Sequence, residues 1–204
     1  RQDILENGHT FAMKRASSHM TASGCFAEQA WGFTMYKWLE CLVAEFDERI
    51  SDLQAYLGTV QKTIFAAKRM TVGITADRIP DDFADLIENL QKKGAVSAPD
   101  CMTVVIENEP SHEIIIIPSG VSYAASTNHL SLYGKRYSGA LRVLSTILSY
   151  EYLWNEVRVK GGAYGCGCRT GVTGNIGFYS YRDPSPLSSI SVFREADDFI
   201  RSFF

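Results

Sequence analysis

Histidine is scarce in this chain, and its few copies are never grouped. The four histidines are His9, His19, His112 and His129. None stands in His-x-x-Glu-His or His-Glu-x-x-His spacing, the arrangement that puts two imidazoles on one helix face beside a general base. His112-Glu113 leads into a β-branched run, so helical metal geometry is wrong there too. Charge of one sign is also lacking. Twenty Lys and Arg balance 23 Asp and Glu, for a net charge of −3, and they are mixed along the chain. That excludes a nucleic-acid stripe and a polybasic membrane anchor. No apolar run reaches the length of a bilayer span, and the N-terminus has no secretory apolar region. The five cysteines are odd in number, and Cys25, Cys41 and Cys101 are widely scattered. They read as reduced thiols of a cytoplasm or an organelle matrix, not as a disulfide framework.

What is present is ordinary for a globular protein: 46% hydrophobic and 21% charged residues over 204 positions, enough for one large domain or two small ones. Both ends read as cut. The chain opens on Arg1 and moves almost at once into a helical pattern, and it stops at Phe203-Phe204 while Phe193, Ala196, Ile200 and Phe203 still keep helical spacing. The expectation is a piece of a longer protein.

Apolar periodicity predicts helices over 3–17, 30–45 and 48–67, with a loop at 18–28. A short strand is expected from Arg69 to Thr75, then a helix over 81–93 capped by Gly94. Residues 95–111 are ambiguous, with Thr103 to Ile106 a strand or a linker. Glu113 to Ile117 reads as a strand buried on both faces, resumed at Val121 to Ser126 after Pro118-Ser-Gly120. The longest helix is expected from Tyr137 to Val157, with Val143, Leu144, Ile147, Leu148, Trp154 and Val157 on its buried stripe. A hairpin follows at 163–170 and 174–182, ended by Pro184 and Pro186, and a last helix runs from 187 to the end. The fold class is α+β: a mostly antiparallel sheet with helices packed on one face, preceded by helices. Residues 1–67 form the helical lead and 68–204 the domain itself.

Several chemistries fail on spacing. Cys166 and Cys168 share a strand face, on the side to which Tyr164 also belongs, but no second cysteine pair completes a tetrahedral site. Gly161, Gly162 and Gly165 do not have P-loop spacing and precede a strand instead of opening a helix. No Ser-His-Asp or Cys-His order can be defended. The segment Arg158-Val-Lys-Gly-Gly-Ala-Tyr164-Gly165 remains. Its plain reading is an arginine favouring a helix C-terminus and a strand tyrosine packing its ring. Its functional reading is a guanidinium and a phenol aimed at one point, both donors that suit an oxyanion. The intervening Gly161 and Gly162, with Gly165, allow a substrate backbone to approach closely.

Leu153-Trp-Asn-Glu-Val-Arg-Val-Lys-Gly-Gly-Ala-Tyr-Gly165 resembles the second half of M16 zinc metallopeptidases, in the presequence-protease and falcilysin-like subfamily. Phe178-Tyr-Ser-Tyr-Arg-Asp-Pro184, Ile117-Pro-Ser-Gly-Val-Ser-Tyr123 and Gly24-Cys-Phe-Ala-Glu-Gln29 extend the likeness over most of 20–200. The resemblance implies an enzyme of two related halves closing around a peptide chamber. The zinc ion, held by His-x-x-Glu-His and a downstream Glu, would lie in the N-terminal half, outside this sequence. No cofactor is expected in the chain itself, which would be the last domain of the C-terminal half. Arg158 and Tyr164 would then be its catalytic contribution, donating hydrogen bonds to the substrate carbonyl or oxyanion. Gly161, Gly162 and Gly165 would contact substrate, and the sheet would pair with an extended peptide. The implied partners are peptide substrate and the N-terminal half of the same chain, with no nucleic acid and no membrane. The fragment alone would be inactive. A non-catalytic M16-like subunit that binds peptides, and an unrelated α+β binding module, are the competing readings.

Overall fold

The computed structural model describes residues 2–66, 70–93 and 112–204. The chain divides into two compact units, one of residues 1–39 with 104–204 and one of 40–103. In the first lie α1 (Gln2–Glu6), α2 (Gly8–Ser18), α3 (Ala22–Trp31), β1 (Ser122–His129), α7 (Gly139–Ile147), a π-helical continuation (Leu148–Lys160), β2 (Gly165–Thr170), β3 (Asn175–Asp183), α8 (Pro186–Arg194) and α9 (Ala196–Phe203). Helix α4 (Phe33–Ala44) crosses the division. The second unit holds α5 (Phe46–Ile64) and α6 (Phe83–Lys93).

The sheet is antiparallel with order β1-β3-β2. The β2–β3 hairpin turns through 171–174, where Gly174 has φ +103°. Alternation decides what each face meets. Ala124, Cys168, Phe178 and Ser180 face the C-terminal helices. There Leu148, Tyr152, Leu153, Val157, Phe193 and Ala196 form the buried core. Tyr152 stacks on Phe199 at 4.8 Å and donates its hydroxyl proton to Val192 O at 3.0 Å, so one side chain ties three helical segments together. Asp183, fully buried, accepts from Ser185 N and Ser189 Oγ and anchors the start of α8. Tyr123, Gly177, Tyr179 and Tyr181 face the other way, and α2 lies over them. Gly8 and Gly177 have no side chain where the Tyr123 ring and the Met13 methyl come against the backbone.

The α+β class with an antiparallel sheet and packed helices is as expected, but several elements differ. The expected loop at 18–28 is mostly α3. Thr21 Oγ1 accepts from Gly24 N at 3.0 Å and starts this helix. Gly24 lies against Ser17 O, so residues that look like loop formers are a cap and a close helix crossing. The expected helix over 3–17 breaks at Asn7, and the last helix breaks at Glu195. Residues 70–75 form no strand. Glu113 to Ile117 forms none either: it is extended and exposed, with Ile114 86% and Ile116 93% accessible. β-branched residues favour a pleated surface only where a neighbouring strand supplies it, and the described residues supply none. Gly94 and 95–111 lie outside the described residues. No helix among the described residues is long and apolar enough to cross a membrane.

Candidate functional site

The long helix that carries Arg158 changes character at Leu148, from α to π. Its sheet-facing positions recur every four residues. Ser145 meets Thr170 at 3.5 Å, Ser149 bonds Cys168, Leu153 O accepts the Cys166 thiol, and Val157 O accepts Ala163 N. In an α-helix such a row drifts by about 40° per step and leaves the sheet within a few turns. The wider π turn reverses the drift and brings the row back toward the sheet. That is why Leu153, and not Trp154, is fully buried. The neighbouring row, Trp154 and Arg158, runs along the edge of the packed face instead of into it.

The helix ends in a glycine turn. Gly161 N bonds Glu156 O, Gly162 N bonds Arg158 O, and Ala163 N bonds Val157 O at 3.2 Å. Gly162 occupies the left-handed region at φ +80°. This is a glycine C-cap, one residue wider than after an α-helix. Tyr164 follows, and its N–H is held by Arg182 O at 3.2 Å. Gly165 pairs with Tyr181 across the hairpin. Gly162, by its backbone angle, and Gly161, where a Cβ would stand 2.5 Å from Val157 O, thus have requirements set by the chain itself; at Gly165 a Cβ would make only ordinary contact with Tyr181.

The turn returns Tyr164 to Arg158. The guanidinium carbon lies 4.0 Å from the centre of the Trp154 ring and 5.9 Å from that of Tyr164. No carboxylate among the described residues pairs with Arg158, and none of them takes or gives a hydrogen bond at the Tyr164 hydroxyl. Tyr164 is 67% exposed and meets Tyr181 edge-on at 5.9 Å. The Trp154 ring lies against the guanidinium at cation–π distance. Two donors therefore sit near each other without an acceptor among the described residues.

Cys166 and Cys168 do share a face, but it is the helix face. Tyr164, ahead of the strand, has its ring against Tyr181 on the other side. Burial pushes the Cys166 thiol up to about 11 and the Cys168 thiol up to about 12, so both remain protonated and inert. Among the described residues no three His, Cys, Asp or Glu side chains converge as a metal site. A cavity of about 390 Å³ lies at the opposite end of the sheet, between His129 and Gly174, away from Arg158. On the edge of β2, Ser149 Oγ accepts Cys168 N–H at 2.9 Å and gives its one proton to Ser145 O at 2.7 Å, with Cys168 O farther off at 3.3 Å. An extended peptide cannot pair at that rung without displacing it.

Sequence reasoning missed Trp154, Tyr181 and Arg182. Trp154 stands four residues before Arg158, the spacing of helix neighbours, but it had been placed on the buried stripe. Tyr181 and Arg182 lie in the Tyr-Ser-Tyr-Arg-Asp-Pro segment, which nothing in residue type alone assigns to the Arg158 surface.

Comparison with known proteins bears on this geometry. The family model for the PreP C-terminal domain matches residues 112–204, which contain β1 to α9. Protein HypA of Clostridium perfringens is 29% identical over 201 residues, 98% of this chain and 20% of HypA. The mitochondrial presequence protease of Saccharomyces cerevisiae is 29% identical over 211 residues, 97% of this chain and 21% of its own length. Presequence protease 1, chloroplastic/mitochondrial, of Arabidopsis thaliana is 27% identical over 204 residues, 96% of this chain and 18% of its own. The chain spans about a fifth of the length of the curated relatives it matches. Residues 112–204 match the family model of the PreP C-terminal domain, and the chain over nearly its whole length is similar to the presequence proteases.

Proposed function

We propose that this chain is the C-terminal, non-zinc-binding domain of a zinc-dependent M16 metalloendopeptidase that degrades peptides in a closed chamber. In this reading Arg158 and Tyr164 bind the substrate carbonyl as it becomes an oxyanion. The observation that carries the reading is a pair without an acceptor among the described residues: a guanidinium 4.0 Å from the Trp154 ring centre and 5.9 Å from that of Tyr164, beside an exposed phenol. Arginine keeps its charge at any working pH. The glycine turn fixes both donors in place before substrate arrives, so little reorganisation is needed as negative charge develops. The zinc ion and the water it activates would come from the other half of the same chain. The peptide and that half are the partners. The names of the relatives, mitochondrial or chloroplastic in eukaryotes, with one relative from a bacterium, support an organelle matrix or a bacterial cytoplasm as the compartment.

The test is steady-state kinetics of the full-length protein on an internally quenched peptide. Arg158→Ala and Tyr164→Phe should each lower kcat by about 10²–10³, the cost of one oxyanion donor, with KM within a few-fold. Unchanged kcat in both variants refutes the assignment. A full-length wild-type protein that binds the peptide without cutting it would instead favour a non-catalytic peptide-binding subunit.

A further inference from the structure

Arg182 is the one residue other than glycine with positive φ among the described residues, at +48°. It stands in a bulge of β3. Ser122 pairs with Asp183 but Ala124 with Ser180, so three steps on β3 oppose two on β1. A left-handed conformation costs a side-chain-bearing residue about 1–2 kcal/mol, and glycine would adopt it freely. An arginine kept at such a position needs a return from its side chain. One return is visible. The guanidinium lies close enough to the Tyr123 phenol to counter the upward push of burial on it, and that phenol donates to Leu5 O at 2.5 Å. An arginine has five N–H donors, and a contact with Tyr123 leaves most of them over. No carboxylate among the described residues pairs with the rest, and the side chain is exposed.

The position ties Arg182 to the Arg158 surface. Its main-chain oxygen holds Tyr164 N at 3.2 Å. Its guanidinium carbon is 5.5 Å from the Tyr181 ring, which is 5.9 Å from Tyr164, which is 5.9 Å from the Arg158 guanidinium. Two guanidinium groups thus stand at the ends of a row of contacts through two phenol rings, a separation spanned by at most about five residues of extended chain.

We propose that Arg182 is a second substrate-contact residue, binding a peptide oxygen (a main-chain carbonyl or a carboxylate) within about five residues of the carbonyl held by Arg158 and Tyr164. This rests on the function proposed above. Arg158 acts where charge develops in the reaction. Arg182 acts on a part of the peptide that does not react, so its contribution is to binding, not to the chemical step.

The full-length protein carrying Arg182→Gly tests this. Glycine keeps the bulge conformation and removes only the side chain, and Arg182→Asn, which also tolerates the left-handed region, serves as a second form. Both should raise KM about tenfold with kcat within about twofold, and Arg182→Lys should fall between them and wild type. Tyr123→Phe removes the internal partner and should leave KM within about twofold. A wild-type KM in both Arg182→Gly and Arg182→Asn overturns the proposal, as does an equal rise in Tyr123→Phe, which would make Arg182 a prop for Tyr123. Paired substrates with Glu or Gln at successive positions separate the two oxygen sources. A Glu-dependent effect identifies a carboxylate, and an equal effect identifies the main chain. If Arg158→Ala leaves kcat and KM unchanged, the parent reading fails and this one with it. If Arg158→Ala impairs kcat and Arg182→Gly changes nothing, only Arg182 is wrongly assigned.

Discussion

The two glycines between Arg158 and Tyr164 do different work, and alanine at each should separate them. Gly162 has φ +80°, and a Cβ there would meet Pro184 Cγ at 3.4 Å, an ordinary contact. The cost of Gly162→Ala is therefore conformational, about 1–2 kcal/mol. For a protein of this size that lowers Tm by about 2–8 °C. Gly162→Asn should cost less than alanine, because asparagine tolerates the left-handed region. Gly161 has an unremarkable φ of −80°, but its Cβ would stand 2.5 Å from Val157 O, a backbone atom that also accepts Ala163 N. The turn must open or the helix end must shift, and the overpacking range of about 1–3 kcal/mol is joined by the strained hydrogen bond. Thermal unfolding followed by circular dichroism should rank Gly161→Ala as the more damaging, then Gly162→Ala, then Gly162→Asn. The same order should appear in kcat of the full-length protein, since the turn sets Tyr164 against Arg158. A Gly161→Ala variant as stable as wild type would refute the turn geometry, and with it the account of how the two donors meet.

Other outcomes follow from the same coordinates. Leu153→Ala, at a fully buried position facing β2, should cost about 2–5 kcal/mol, read from the urea midpoint. At pH 7.5, iodoacetamide should modify exposed Cys41 well before Cys166. A thiol pushed from 9.0 to about 11 has about a hundredfold less thiolate. Equal rates would mean that β2 opens readily. His9, held below its ordinary 6.5 by burial and then by Arg169, lies against the rings of Tyr179 and Tyr181. The unfolded chain takes up its proton first as pH falls, so stability should be full above 6.5 and decline as pH drops below it toward the folded-state value. His9→Gln should flatten that decline in Tm measured from pH 7.5 to 5.5, and an undiminished slope would assign it to other groups.

The hairpin, the start of the last helical stretch and the helix-to-strand junction after Arg158 were legible because their signals are local: glycine at the turn, prolines after the second strand, a basic residue before a glycine pair. What was not legible depended on partners. Ile114 to Ile117 has strong strand character, yet a strand is a relation between two segments, and residue type cannot show whether the second is there. Trp154 was misplaced for a related reason. Counting at 3.6 residues per turn assumes the helix keeps its width, and the widening after Leu148 is fixed by contacts with β2 that periodicity does not encode. The segment at 18–28 was lost to composition: Thr21 and Gly24 are common in loops and equally suited to starting and crossing helices. Two donors six residues apart with glycines between them can be picked out in the sequence, whereas Arg182 becomes conspicuous only through a backbone angle.

The hydroxyl of Ser149 has a consequence for self-association. The middle of an edge strand is where a stray strand from a second molecule would dock most easily, since it offers an unpaired donor and acceptor side by side. Here a serine from the helix takes the Cys168 N–H at 2.9 Å, so two copies of the protein cannot zip their β2 edges through that rung without breaking this bond. Removing a single oxygen, in Ser149→Ala, would reopen it. The helix that carries Arg158 to the surface also keeps this sheet from recruiting its own kind.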